Sequence, residues 1–182
     1  MASSAEHSAG AESLRPGTAE SHADVARRLA GGLAAEHSSE VAGAPASSGR
    51  EGIGVDVVDI DSFIEQLERP GTRFGDSFTA RERRAAARRA AATGQHVGHH
   101  LAARWAAKEA FIKAWSAALY GQAPPLADVD MAEIEVVADA WQRPAIALHG
   151  AVAAAAGGLR ISISMTHDGP IALAFAKVNE AL

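Results

Sequence analysis

The apolar and polar positions divide the chain into a first quarter without pattern and a patterned remainder. Residues 1–50 show no recurring apolar spacing: Ala, Ser, Gly and Glu dominate, and Phe, Tyr and Trp are absent. Such a segment buries too little surface to offset its ordering entropy, so it is expected to be a disordered extension. Within it a weak helix is expected after Ser21 or Asp24, interrupted by Gly31-Gly32. The folded domain is expected at residues 51–182.

"GIGVDVVDI", Gly52 to Ile60, is Val/Ile-rich and predicts a strand. "DSFIEQLER" predicts a short helix, with Asp61 or Ser62 at its cap and Pro70-Gly71 after it. A second helix follows Thr79, which stands three residues before Glu82 in the capping-box spacing, and closes at Thr93-Gly94. A long helix is predicted from about His99 to Leu119, then a Pro/Gly/Asp loop. Strands are predicted at Glu133–Asp139, at "AIALHG", at "LRISISMTH" and at "IALAFAKV", with a short helix at "AVAAAAGG". The last two strands flank Asp168-Gly169-Pro170 and should form an antiparallel hairpin. Helices and antiparallel strands mix without a βαβ repeat, which indicates an α+β fold.

The long helix carries an unusual charge pattern. On a wheel of ~100° per residue, Leu101, Trp105, Phe111, Ile112 and Trp115 form an apolar stripe. Lys108 falls inside that stripe, Glu109 on its margin, and Lys113 further out on the Glu109 side. The opposite face is alanine: Ala106, Ala107, Ala110 and Ala114. A solvated helix would place its charges there. An ordinary i,i+4 pair between Glu109 and Lys113 accounts for the charges but not for the alanines.

The first strand poses a matching question. Val55 and Val57 call for burial, while Asp56 lies on the other face with Gly54 and Val58. A carboxylate there requires solvent, donors or a cation. Asp56 and Glu109, flanked by Lys108 and Lys113, form a set suited to Mg²⁺ and a di- or triphosphate, because Mg²⁺ takes oxygen ligands from one or two carboxylates, water and phosphate. Gly52 and Gly54 allow a close backbone approach.

Composition narrows the classes. The net charge of −5 disfavours a general nucleic-acid binder, and the absence of Cys excludes disulfides, thiolate metal sites and a Cys nucleophile. No apolar run reaches the ~20 residues of a membrane helix, and no signal-like start is present. A cytoplasmic protein, without a membrane or nucleic-acid partner, is expected.

"GIGVD" (Gly52 to Asp56) and "WAAKEAFIK" (Trp105 to Lys113) resemble the two signatures of the holo-acyl-carrier-protein synthases, the short type of 4′-phosphopantetheinyl transferase. "FTARE", "HLAARWAAKEA", "WQRPAI" and "SISMTHDGPIALA" resemble further family segments, although Trp141-Gln142 stands where Asn-Gly is common. The similarity runs from about Gly52 to Val178. It implies a small antiparallel sheet packed against a long helix, a homotrimer with active sites between subunits, and Mg²⁺-dependent transfer of 4′-phosphopantetheine from coenzyme A to a serine of an apo acyl carrier protein. The other product is adenosine 3′,5′-bisphosphate. On this resemblance Asp56 and Glu109 would hold the metal, and Lys113 would meet the departing phosphate. Arg104 and Lys108 would hold phosphates. Arg143 and Pro144 would lie near the adenine and 3′-phosphate, and His167 near a phosphate at the neighbouring subunit.

One position departs from the family. An Arg that meets the carrier is common early in the helix after the first strand, but Asp61 and Ser62 stand here. Arg81, Arg84 and Arg88 share one face of the second helix and offer an alternative contact for an acidic partner, or a solvated basic face. A non-catalytic module binding acidic proteins through that face is the competing function; it has no need of Asp56, Glu109 and Lys113. Hydrolysis of a nucleotide pyrophosphate is a third. His96, His99 and His100 lack the further ligands of a familiar zinc site.

Overall fold

The computed structural model of the chain describes residues 50–180. The expected extension and its weak helix lie outside the described residues, apart from Arg50. β1 (Glu51–Asp59) passes directly into α1 (Ile60–Glu68). The cap of α1 is Asp59, not Asp61 or Ser62: its Oδ1 accepts the Ser62 N–H at 2.8 Å. The strand ends in extended geometry at Asp59, which sets that carboxylate over the free donors of the first helical turn. This explains one of the two acidic residues that interrupt the strand.

A 3-10 turn (Phe74–Ser77) precedes α2 (Ala80–Thr93), whose Thr79/Glu82 capping box is formed and whose end is set by Gly94 at φ 71°. α3 (Val97–Ala118) starts two residues earlier than expected, because the His96 side chain accepts the Gly98 N–H. A second 3-10 turn (Met131–Glu133) leads into β2 (Ile134–Ala138) and β3 (Pro144–Leu148). α4 (Gly150–Ala155), β4 (Leu159–Asp168) and β5 (Ile171–Glu180) complete the fold. The strands form an antiparallel sheet in the order β1-β5-β4 and a separate antiparallel pair β2-β3. The α+β architecture expected from the pattern is what is observed.

α3 is the core of the domain. Its alanines at 106, 107, 110 and 114 are fully buried, and part of what they meet is the backbone of β1. A methyl group on Gly54 would overlap the Ala110 carbonyl oxygen, and one on Gly52 the Ala114 carbonyl oxygen. The close approach permitted by the two glycines is thus that of a helix. Phe111, Trp115, Ile134, Val152 and Val178 pack in one apolar cluster around α3; Ile60, Phe63, Phe78, Leu101 and Trp105 form a second. Each fully buried large side chain contributes about 1.5–3 kcal/mol.

This packing reverses the expected faces of β1. The glycine side is buried under α3, and Ile53, Val55 and Val57 are 55%, 45% and 54% exposed. In the register of the sheet Val55 opposes Phe175 and Val57 opposes Leu173, both also partly exposed. One face of the three-stranded sheet therefore presents apolar side chains outward.

Candidate active site: an acidic pair, a basic cavity and a sealed lysine

The long-helix approach that buries the glycines also carries Asp56 and Glu109 toward each other. Asp56 shares the helix-facing side of β1, and its side chain is mostly covered. Glu109 is partly buried on α3. Burial, reinforced by the Asp56 charge and opposed by Lys113, pushes the Glu109 carboxyl up from 4.5 to about 7. Lys113 reaches across from the next turn and donates to Asp56 Oδ1 at 2.7 Å and to the Val55 carbonyl at 3.2 Å. The partly exposed ammonium thus pairs with Asp56, while Glu109 feels the charges of both. Hard oxygen donors, under-compensated negative charge and an open side fit a divalent cation with a phosphate completing its shell.

Arg104, Pro144 and His167 are brought together elsewhere. They line a cavity of about 300 Å³ with Arg89, His100, Gln142 and Thr166. Arg104 donates to the His100 carbonyl at 2.7 Å, while its Nε is buried with no partner among the described residues. The His100 and His167 rings stand 6.1 Å apart. Burial, then the charges of Arg104, His167 and Arg89, hold His100 below its ordinary value. A concave site with this lining and an unspent buried guanidinium donor suits an anion. A larger depression, about 570 Å³, is lined by Asp76, Asp128 and Asp130 against the single cation Arg73, and its balance is acidic.

Asp56, Glu109 and Lys113 do not line the basic cavity. Arg104 and Glu109 lie ~140° apart around α3, so one chain presents two half-sites on different flanks of the same helix. Arg143 is outside the cavity lining as well. Its Nε donates to Asp139 Oδ2 at 2.6 Å, and its guanidinium lies 5.0 Å from the Trp141 ring centroid. That turn places Gln142 at φ 65°, the conformation a glycine adopts freely, which is why Asn-Gly is the common pair there.

Lys108 corrects the expectation that it holds a phosphate. Its side chain is 0% exposed, and its ammonium donates to Glu82 Oε2 at 2.9 Å, the Ser77 carbonyl at 2.6 Å and the Met131 carbonyl at 2.9 Å. All three donors of the ammonium are spent. The apolar stripe in which the wheel places Lys108 packs inward, and the charge goes with it. Burial pushes the ammonium below its ordinary value, and the Glu82 carboxylate opposes that shift. Glu82 in turn accepts the Thr79 and Val136 N–H groups at 2.9 and 3.0 Å.

Arg81, Arg84 and Arg88 are exposed on α2, whereas Asp61 and Glu65 are exposed on α1. Two residues of the basic cavity escaped sequence reasoning, Arg89 and His100. His100 stands four residues before Arg104 on one helix face, a local signal distinct from the His96, His99 and His100 grouping, which lacks the ligands of a zinc site. His96 caps α3 and pairs with Glu68 at 3.1 Å. The Glu82–Lys108 pair had no local signal, since the two residues are 26 apart.

Comparisons with known proteins agree with this geometry. Residues 52–174 match the family model described as the 4′-phosphopantetheinyl transferase superfamily. The holo-[acyl-carrier-protein] synthase of Mycobacterium tuberculosis H37Rv is 46% identical over 125 residues, covering 69% of this chain and 93% of that protein. The synthase of Mycobacterium sp. strain KMS is 45% identical over 129 residues, covering 71% and 96%. Among solved structures, the ACPS–CoA complex of Chronobacterium ammoniagenes is 44% identical with a TM-score of 0.67, covering 72% of this chain and 98% of that one. With both signatures placed on the two elements that α3 packing brings together, the chain belongs to the 4′-phosphopantetheinyl transferase superfamily, among the holo-acyl-carrier-protein synthases.

Proposed function

We propose that this enzyme transfers the 4′-phosphopantetheine group of coenzyme A to a serine of an apo acyl carrier protein, with Mg²⁺ as its metal. The observation that carries the reading is the Asp56–Glu109–Lys113 set, in which two carboxylates face one ammonium. In the reaction the serine oxygen bonds the β-phosphorus of coenzyme A, the bond to the α-phosphate oxygen breaks, and adenosine 3′,5′-bisphosphate leaves. The serine proton is lost to water or to a carboxylate of the acidic pair. Mg²⁺ held by Asp56 and Glu109 would neutralise the pyrophosphate and polarise the transferring phosphorus. Lys113, beside Asp56, meets the charge that develops on the departing phosphate. Arg104 offers its unpartnered Nε to a phosphate in the basic cavity, with Pro144 and His167 as further walls. Such chemistry depends mainly on positioning and charge neutralisation.

The active unit proposed is a homotrimer that works in the cytoplasm. Two observations support the trimer: the outward apolar face of the β1-β5-β4 sheet calls for cover, and the acidic and basic half-sites of one chain are separate. The carrier is proposed to approach the arginine face of α2, because exposed carboxylates on α1 repel an acidic partner. Incubating the chain with coenzyme A, Mg²⁺ and an apo carrier protein is the test. A mass gain of one phosphopantetheine on the carrier is expected; an unmodified carrier, under conditions where a known synthase modifies it, overturns the reading.

A further inference from the structure

The sealed Lys108 stands next to Glu109, and this adjacency has a geometric effect. Lys108 holds three separate pieces of chain at one ammonium: the turn ending at Ser77, the turn beginning at Met131, and Glu82 on α2. Glu82 extends the same node to β2 through the Val136 N–H and to the α2 cap through the Thr79 N–H. Thr79 Oγ1 continues it to Glu135 on β2 at 2.8 Å, and Glu135 to His149 at 3.2 Å. Among the described residues no other charged side chain in the core is tied to so many elements. The node grips α3 at one point of its circumference. Glu109 follows Lys108 by ~100° and ~1.5 Å, so rotation or sliding of α3 at Lys108 carries Glu109 with it. On the Asp56 side the buried contact is between alanine and glycine surfaces, and the polar tie there, Lys113 to Asp56 and the Val55 carbonyl, comes from a half-exposed, flexible side chain that fixes the helix less firmly than a sealed ammonium.

Resting on the transferase reading, we propose that Lys108 is a positioning residue: its buried pairing with Glu82 fixes the azimuth of α3 and so sets the spacing of Glu109 from Asp56 at the metal. It does not touch coenzyme A. The alternative role, a direct phosphate ligand, requires the ammonium to abandon three acceptors in a sealed pocket.

The test uses the full chain, with Lys108→Met, Glu82→Gln and the Lys108→Met/Glu82→Gln double variant, all at a temperature well below their melting points. Transfer by the unaltered chain in the same assay first establishes the reaction, so failure there is failure of the functional reading and not of this one. Glu82→Gln keeps shape and sits on a different helix, which guards against a Lys108→Met chain that does not fold. Both single variants are expected to lower kcat and weaken Mn²⁺ binding, read by electron paramagnetic resonance, by about tenfold, as for loss of an outer partner of a metal ligand. KM for coenzyme A should change less than about threefold. The double variant, which buries no lone charge, should recover Mn²⁺ affinity relative to Lys108→Met. A tenfold rise in KM for coenzyme A in Lys108→Met, with Mn²⁺ binding intact and no recovery in the double variant, overturns the proposal. So does a loss of melting temperature in both single variants with unchanged kcat and Mn²⁺ affinity.

Discussion

Two carboxylate–lysine centres stand on neighbouring faces of one helix and are built on opposite terms. At Glu82–Lys108 both side chains are 0% exposed and every donor of the ammonium has an acceptor. At Asp56–Glu109–Lys113 the lysine is half exposed and pairs with Asp56, which leaves Glu109 without an ion-pair partner of its own among the described residues, and Glu109 is pushed up to about 7. The difference separates structural from chemical roles. A satisfied buried pair has nothing left to offer a ligand, whereas an under-compensated acidic pair gains when a cation arrives. Lys108 and Glu109, adjacent in the chain, belong to different systems because one residue along a helix is a turn of ~100°.

The sharpest way to break this comparison is Glu82→Ala. It leaves Lys108 charged and unpaired, and the expected loss of stability is about 3–5 kcal/mol. Urea denaturation measures it; a loss under about 1 kcal/mol would remove the pair from its structural role. Next comes Glu109→Gln, expected to lower the transfer rate by about 10²–10³-fold while leaving the folded structure intact. Carrier mass change against time reports the rate, and circular dichroism the fold. Undiminished rates at saturating Mg²⁺ would take Glu109 out of the site.

A smaller effect concerns pH in the metal-free protein. The Glu109 carboxyl titrates near 4.5 when unfolded and at about 7 when folded, so between those values the folded state holds a proton that the unfolded chain releases. Stability from this group is therefore full below pH 4.5 and falls as pH rises to about 7, by an amount of order 1 kcal/mol given its partial exposure. Thermal melts at pH 5 and pH 8 should show the decline, and Glu109→Gln should flatten it. A decline that persists in that variant would assign it to another group. The smallest expected effect is that of deleting residues 1–50. The Arg50–Glu180 ion pair, at 3.1 Å, is surface-exposed and contributes little, so transfer should continue at an unchanged rate. A folded but inactive truncation would give the extension a part in the reaction.

Much of this was legible from local rules. Thr79 with Glu82, Gly94 after Thr93, and the alternation of Ile161, Ile163 and Met165 each act over a few residues, and each appears where the spacing puts it. Asp59 as the α1 cap was missed by two or three positions because strand and helix abut without a linker. The faces of β1 were misread for a different reason. Hydrophobicity says that valine prefers burial, but it does not say that two glycines will admit a helix backbone and bury the other side.

Local pattern was enough for the elements, the capping box of α2 and the two signature segments, because propensity, capping and periodicity are set by neighbours a few residues apart. Tertiary structure alone decided that Lys108 is sealed against Glu82 while Glu109 faces Asp56, and that Arg89, His100, Arg104 and His167 share a cavity. These outcomes join residues tens of positions apart, and the free energy of a charge depends on which distant groups surround it.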